Sequence, residues 1–209
     1  MSILPNPSVS ELPFAFGGPP CTGVIRAVPE DFLVDEISLF DPDGEGEHQL
    51  LRIEKRNTNT EWVAGLLARH ASVPRRDVSY AGQKDRNAVT RQWFSVRLAG
   101  QPEPDWSELD CSGIKILESA RHGRKLRTGA LKGNRFTIRV SKFDGDQTVL
   151  KKCLARVAEE GAPNYFGEQR FGRGGGNIVS AEALFRGELK RLKRQKRGIY
   201  ALCGTFAAV

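Results

Sequence analysis

The chain predicts an α+β domain built around a largely antiparallel, mixed sheet flanked by helices, and three observations carry that expectation. Most candidate elements are short runs rich in Val, Ile, Phe and Trp, bounded by Gly, Pro and Asp. Only a few stretches repeat their apolar residues at helical spacing, and they are interspersed among the strands. At 209 residues, with 39% hydrophobic and 27% charged residues, the chain is long enough to bury a sizeable core.

The first twenty residues are rich in Pro, Gly and Ser and read as a loose arm. Val24–Val28 is a strand candidate that stops at Pro29, and Phe32–Ile37 is a second. DPDGEGEH (41–48) reads as an acidic, turn-rich loop, after which His48–Lys55 alternates as a strand. Thr60 stands where an N-cap belongs, and Trp62, Val63, Leu66, Leu67 and His70 then recur at helical spacing. That helix is expected to lay one apolar face on the sheet. Val78–Tyr80, Trp93–Leu98, Ile114–Ala120 and Arg135–Val140 are further strand candidates; Thr148–Ala158 and Val179–Arg186 are further helices. Between those two helices lies a glycine-rich loop, GAPNYFGEQRFGRGGGN (161–177).

No stretch approaches the roughly 20 apolar residues of a membrane-spanning helix. MSILPNPSVSELPF lacks the basic and apolar regions of a secretory signal, so a cytoplasmic location without a membrane partner is expected. Cys21, Cys111, Cys153 and Cys203 form no C-x-x-C pair, and with only three histidines they fit neither a zinc site nor a redox motif. The net charge of +7 and pI near 9.4 suit a polyanionic partner. Nearly all of that surplus sits in Arg186–Arg197 (RGELKRLKRQKR), with seven basic residues and one acid; the rest of the chain is close to neutral.

Several motifs admit a chemical and a plain reading. Asp85, in Gly82-Gln83-Lys84-Asp85-Arg86, is either a solvated loop charge or a reactive carboxylate whose flanking cations favour the ionised, nucleophilic form. Asn164–Gly172 (NYFGEQRFG) packs three aromatics, two amides and Arg170 into nine residues. It is either a cradle for a flipped base, stacked on an aromatic and read by an amide, or a structured turn with Phe166 and Phe171 in a core. GRGGGN (172–177) is a candidate anion nest without the Lys-Ser/Thr of a P-loop, and a hinge is the plainer reading. His122 lies in ARHGRKLRTGALKGN (120–134), which reads as a basic hairpin for a nucleic-acid backbone or as a solvated turn. His48 reads as a loop histidine and His70 as a helix-face one. No Ser/His/Asp set, carboxylate pair or metal cluster assembles from the pattern.

AGQKDRNAVTRQWFSV (81–96), HGRKLRTGALKGNRFTIRV (122–140) and GAPNYFGEQRFGRGGGN resemble three signature segments of the TruD family of tRNA pseudouridine synthases. VIRAVPEDFLVDEI and DPDGEGEHQLLRIEKRNTNT are similar to the family's N-terminal portion, so the likeness runs in order from about Thr22 to Asn177. It implies the pseudouridine synthase catalytic fold and isomerisation of a tRNA uridine, typically position 13, to pseudouridine. It implies tRNA as the partner and no metal or organic cofactor; a monomer is expected. Asp85 matches the family's catalytic aspartate in G-x-K-D, which would attack C1′, attack C6 of the base, or act on the ribose. Phe166 matches the aromatic that stacks on the target base, Asn164 a substrate-binding amide and Phe32 a further binding position. Arg26 falls where the family places a basic residue, Lys or Arg, that pairs with the aspartate. Lys84, Lys125, Lys132, Gln169 and Arg170 are the implied RNA contacts.

The likeness also implies a departure. Family members carry an insertion domain after the NYFG loop and then return to the catalytic domain, whereas this sequence reaches only Val209. The expected organisation is an arm (1–20), the N-terminal part of the catalytic domain (21–189) and the start of the insertion domain (190–209), with the fold incomplete at its C-terminal side. Permitted codons for Ala201–Val209, read one base later, yield Leu-Ser-Ala-Ala-Arg-Ser-Leu-Leu, a segment like the family's own. One extra base after the Tyr200 codon is therefore expected, with a natural short variant or a split protein as the alternatives. Three functions stay open: a tRNA pseudouridine synthase, a catalytically impaired RNA-binding remnant of one, and an unrelated aspartate-dependent nucleoside hydrolase, which the three matching segments disfavour.

Overall fold

The computed structural model of the chain describes residues 12–163, 165, 167–172 and 175–187. They fall into two units: Cys21–Gly145, and the described parts of Met1–Pro20 with Asp146–Val209.

The first unit holds strands β1 (Cys21–Ile25), β2 (Phe32–Ser38), β3 (His48–Arg56), β4 (Val78–Tyr80), β5 (Val89–Arg97), β6 (Ile114–His122), β7 (Leu131–Ile138) and β8 (Val140–Gly145), with helix α1 (Thr60–His70) after β3. The main sheet runs β6-β3-β5-β2-β7 with β4 also on β5, while β1 and β8 form a separate pair. Among the described strands β2 pairs parallel with β5, and the other pairings are antiparallel. The mixed, largely antiparallel α+β sheet is the predicted class.

Central β5 explains its own weak alternation. Its first residues pair with β2 and its last with β4, while β3 runs along its whole length. Both faces are covered, so Gln92, Trp93, Phe94, Ser95 and Val96 are all buried. On one face Leu51, Ile53, Phe94 and Val96 meet Val63, Ala64, Leu67 and Ala68 of α1. Burying each large side chain of this kind contributes roughly 1.5–3 kcal/mol. Of the stripe the spacing predicted, Val63 and Leu67 turn inward, whereas Trp62 is exposed, Leu66 and His70 are half-buried, and the small Ala64 and Ala68 pack in their place. The helix is capped one residue earlier than expected: the Asn59 side chain accepts from the Glu61 N–H at 2.8 Å. Thr60 is free to turn inward, where it is buried.

The opposite face buries Leu50, Ala81, Trp93 and Leu126. Leu126 belongs to the segment expected to be a hairpin, and no hairpin forms there. Strands β6 and β7 lie at opposite edges of the sheet, so residues 123–130 cross from one edge to the other. Leu126 is buried on the way, and the Gly129 N–H donates to the Ala81 carbonyl at 2.7 Å. Two histidines also move indoors. His48 opens β3, buried, with a ring nitrogen 3.0 Å from the Ser95 hydroxyl, and burial lowers its pKa. His122 closes β6, buried, with its ring stacked on Phe40 at 4.7 Å. The strand expected over Arg135–Val140 is two: β7 begins at Leu131, and β8 follows to pair with β1.

The second unit is helical: α2 (Gln147–Glu160) and α3 (Gly176–Phe185), with a 3-10 turn at Glu168–Phe171 between them. The Asp146 carboxylate caps α2 by accepting from the Thr148 and Val149 N–H groups. From the arm, Phe16 lies 4.5 Å beneath the Arg156 guanidinium. None of the described side chains in this unit is buried.

Candidate active site

Asp85 sits in the loop that joins β4 to β5, and buried polar side chains of the sheet and helix fix that loop. The Thr60 hydroxyl accepts from the Lys84 N–H at 3.1 Å and donates to the Gln92 side-chain carbonyl at 3.0 Å. The Gln92 amide nitrogen donates in turn to the Gly82 carbonyl at 3.0 Å. At the far end the Asn57 N–H donates to the Ala88 carbonyl at 3.1 Å. A satisfied network of this kind holds one backbone geometry, because any slip would orphan groups that cannot reach water.

Lys55 completes the support. Along β3 the residues Leu51, Ile53 and Lys55 share the inward face, so the long stem runs through the core and the side chain is fully buried. Its ammonium donates to the Thr58 carbonyl at 2.7 Å and to the Asp85 carbonyl at 2.9 Å. Burial pushes its pKa down to about 8, with the Asp85 charge opposing the shift and Lys84 adding to it. Lys84 itself, an implied RNA contact, is placed elsewhere. Its ammonium lies 2.6 Å from Glu36, both side chains almost wholly buried, and Glu36 also accepts from the Trp93 N–H at 3.1 Å. That ion pair ties the loop to β2 and β5 rather than presenting a cation to solvent.

Above this floor three expected residues come together. Arg26, just past β1, has φ 60°, a left-handed backbone that an arginine adopts at a cost of about 1–3 kcal/mol. Its guanidinium carbon lies 3.8 Å from the centre of the Phe32 ring, and its Nη2 lies 3.8 Å from the Asp85 carboxylate. Phe32 is oriented by the turn before it, where the Asp31 carboxylate accepts from the Val28 N–H at 3.2 Å. The ring is buried under the guanidinium and tilted against Phe136 at 5.9 Å. The Asp85 side chain remains 44% exposed, so a substrate can reach it. A carboxylate, a cation facing it and an aromatic floor suit a nucleoside drawn out of its stack.

The other expected residues are dispersed or lie beyond description. The Lys125 ammonium donates to the Arg76 carbonyl at 2.8 Å on an exposed surface, and Lys132 is exposed on β7. Arg170, exposed, and Gln169 belong to the Glu168–Phe171 turn of the helical unit. Asn164 and Phe166 lie outside the described residues, as do the basic run from residue 188 onward and Ala201–Val209. Lys55 and Gln92 were not singled out in the sequence, and Thr60 was read only as a helix cap. Their signal was the polar residue at an inward position of a strand or helix face, visible only once the faces are known.

The comparison with protein families decides what this cluster belongs to. The family model described as tRNA pseudouridine synthase D (TruD) matches residues 9–193. The chain belongs to the TruD family. The tRNA pseudouridine synthase D of Methylococcus capsulatus is 50% identical over 194 residues, which cover 93% of this chain and 55% of that protein. That of Aeromonas hydrophila is 48% identical over 193 residues, covering 92% of this chain and 54% of that one. A crystal structure described as tRNA pseudouridine synthase D (TruD), from Methanosarcina mazei, matches with a TM-score of 0.66 and 28% identity over 81% of this chain and 40% of that one. This TruD-family chain therefore spans about half the length of the curated relatives it matches.

Proposed function

We propose that the chain acts on tRNA as a pseudouridine synthase and that Asp85 is its catalytic carboxylate. The juxtaposition of Asp85, on its pinned loop, with Arg26 and the Phe32 ring beneath that guanidinium carries the reading. In the reaction the C1′–N1 glycosidic bond breaks, the base turns, and C1′ bonds to C5; C5 gives up its proton and N1 gains one. Asp85 supplies the nucleophile or the base for that exchange, and Arg26 across from it holds the carboxylate in register. Family membership supports tRNA as the substrate, and no cofactor is required by this bond exchange.

The test is pseudouridine mapping on an unmodified tRNA transcript incubated with the chain. Product that Asp85→Asn reduces by about 10³-fold or more supports the reading, the loss expected of an essential nucleophile or base. Product from Asp85→Asn at the wild-type rate overturns it. Coverage of about half of each relative favours a second reading, in which this portion binds tRNA and turnover needs further chain. Tight tRNA binding by the wild-type chain without product selects that one.

A further inference from the structure

A cleft opens beside the Asp85 loop. It measures about 330 Å³ and is lined by Asn57, Thr58, Asn59, Trp62 and Arg86, a volume at the lower end of small-ligand sites. Trp62, on the first turn of α1, is 46% exposed, whereas the other two tryptophans, Trp93 and Trp106, are each 8% exposed. An indole face left to water on an otherwise polar helix surface is available for stacking. Arg86 is exposed and, among the described residues, its guanidinium has no hydrogen-bond or ion-pair partner. The cleft is built onto the candidate active site. Arg86 follows Asp85 directly, Asn57 (φ 49°) grips the Ala88 carbonyl, and the Lys55 ammonium bridges the carbonyls of Thr58 and Asp85.

We propose that this cleft is a subsite for an RNA nucleotide flanking the uridine held at Asp85, with its base stacked on Trp62 and its phosphate on Arg86. An aromatic face beside a guanidinium is the combination that holds single-stranded nucleotides, and Asn57 and Asn59 offer amides to a base edge. The proposal rests on the reading of Asp85 as the reacting group, and its test is a binding measurement so that the two fail separately.

Because Trp62 is the exposed tryptophan, its fluorescence reports the cleft directly. Titrating the full chain with an unmodified tRNA transcript is expected to quench that emission. Trp62→Ala should abolish the quench and raise Kd about tenfold, while Trp62→Phe keeps most of the affinity. Arg86→Gln should weaken binding several-fold and lower the slope of log affinity against log salt by about one. Absence of quenching in the wild-type chain overturns the proposal, as does wild-type affinity in Trp62→Ala. Should Trp62→Ala melt early, Trp62→Phe and Arg86→Gln decide: a full quench that persists in Trp62→Phe, which lacks the reporting indole, overturns it, as do wild-type affinity and salt slope in Arg86→Gln. Asp85→Asn separates the two readings. Lost product with the Trp62 quench intact supports both, and retained product sinks the Asp85 reading while leaving the cleft to be judged by Trp62→Ala.

Discussion

Both units expose large apolar side chains, but among the described residues the sheet unit alone also buries a core. Every buried apolar side chain among the described residues lies within Cys21–Gly145. In the helical unit α2 leaves Val149, Leu154 and Val157 exposed, and α3 leaves Val179 and Phe185 exposed, the last at 80%. Helices of 14 and 10 residues are marginal without a buried face. The contrast teaches where the candidate chemistry can be rigid. Asp85, Arg26 and Phe32 stand on a unit with its own core, whereas none of the described side chains of the helical unit is buried.

The largest effect expected on that contrast comes from the core. Phe94→Ala, at a fully buried position, should cost about 3–5 kcal/mol by urea unfolding, whereas Leu154→Ala, 57% exposed on α2, should stay within about 0.5 kcal/mol. Equal costs would break the comparison.

A smaller effect is expected at Lys55. Lys55→Met leaves the Thr58 and Asp85 carbonyls without their donor and should cost about 1–3 kcal/mol. The wild-type chain should also show a pH signature. The folded state releases the Lys55 proton near pH 8, while the unfolded chain holds it to about 10.5, so between those values the unfolded state binds more protons and stability rises with pH. That contribution is complete above the upper value and lost as pH falls through the lower one. Urea midpoints for Lys55→Met should lack the rise; a rise of the same size in both proteins would remove Lys55 as its source.

The smallest expected change sharpens the contrast at the helical unit. Asp146→Ala removes the α2 cap, worth about 1 kcal/mol to the helix. Hydrogen exchange in α2 should quicken while the urea midpoint of the sheet unit stays in place. A matching drop in both would show that the helix and the sheet unfold together.

Much of the fold was legible because its signals are local. Alternation marked β3, helical spacing marked the existence of α1, and the segment around Asp85 was long and specific enough to indicate a family. Element ends were less legible. Asn59 rather than Thr60 caps α1 because Thr60 is drawn into the Gln92 network, and β1 stops at Ile25 because Arg26 turns left-handed. The basic segment after β6 looked like a hairpin because a run of turn-forming and charged residues between two strands suits one equally well.

By itself, then, the sequence determined most of the elements and the identity of the loop that carries Asp85, since each depends on residues within a few positions of one another. Only the tertiary structure decided that β6 and β7 occupy opposite edges, that Lys84 is spent on Glu36, that Lys55 lies under Asp85, and that Arg26 covers Phe32 and faces the carboxylate. Those are choices of neighbour between strands far apart in the chain. They follow from which apolar faces cover one another and which buried polar groups find partners, and no local periodicity records either.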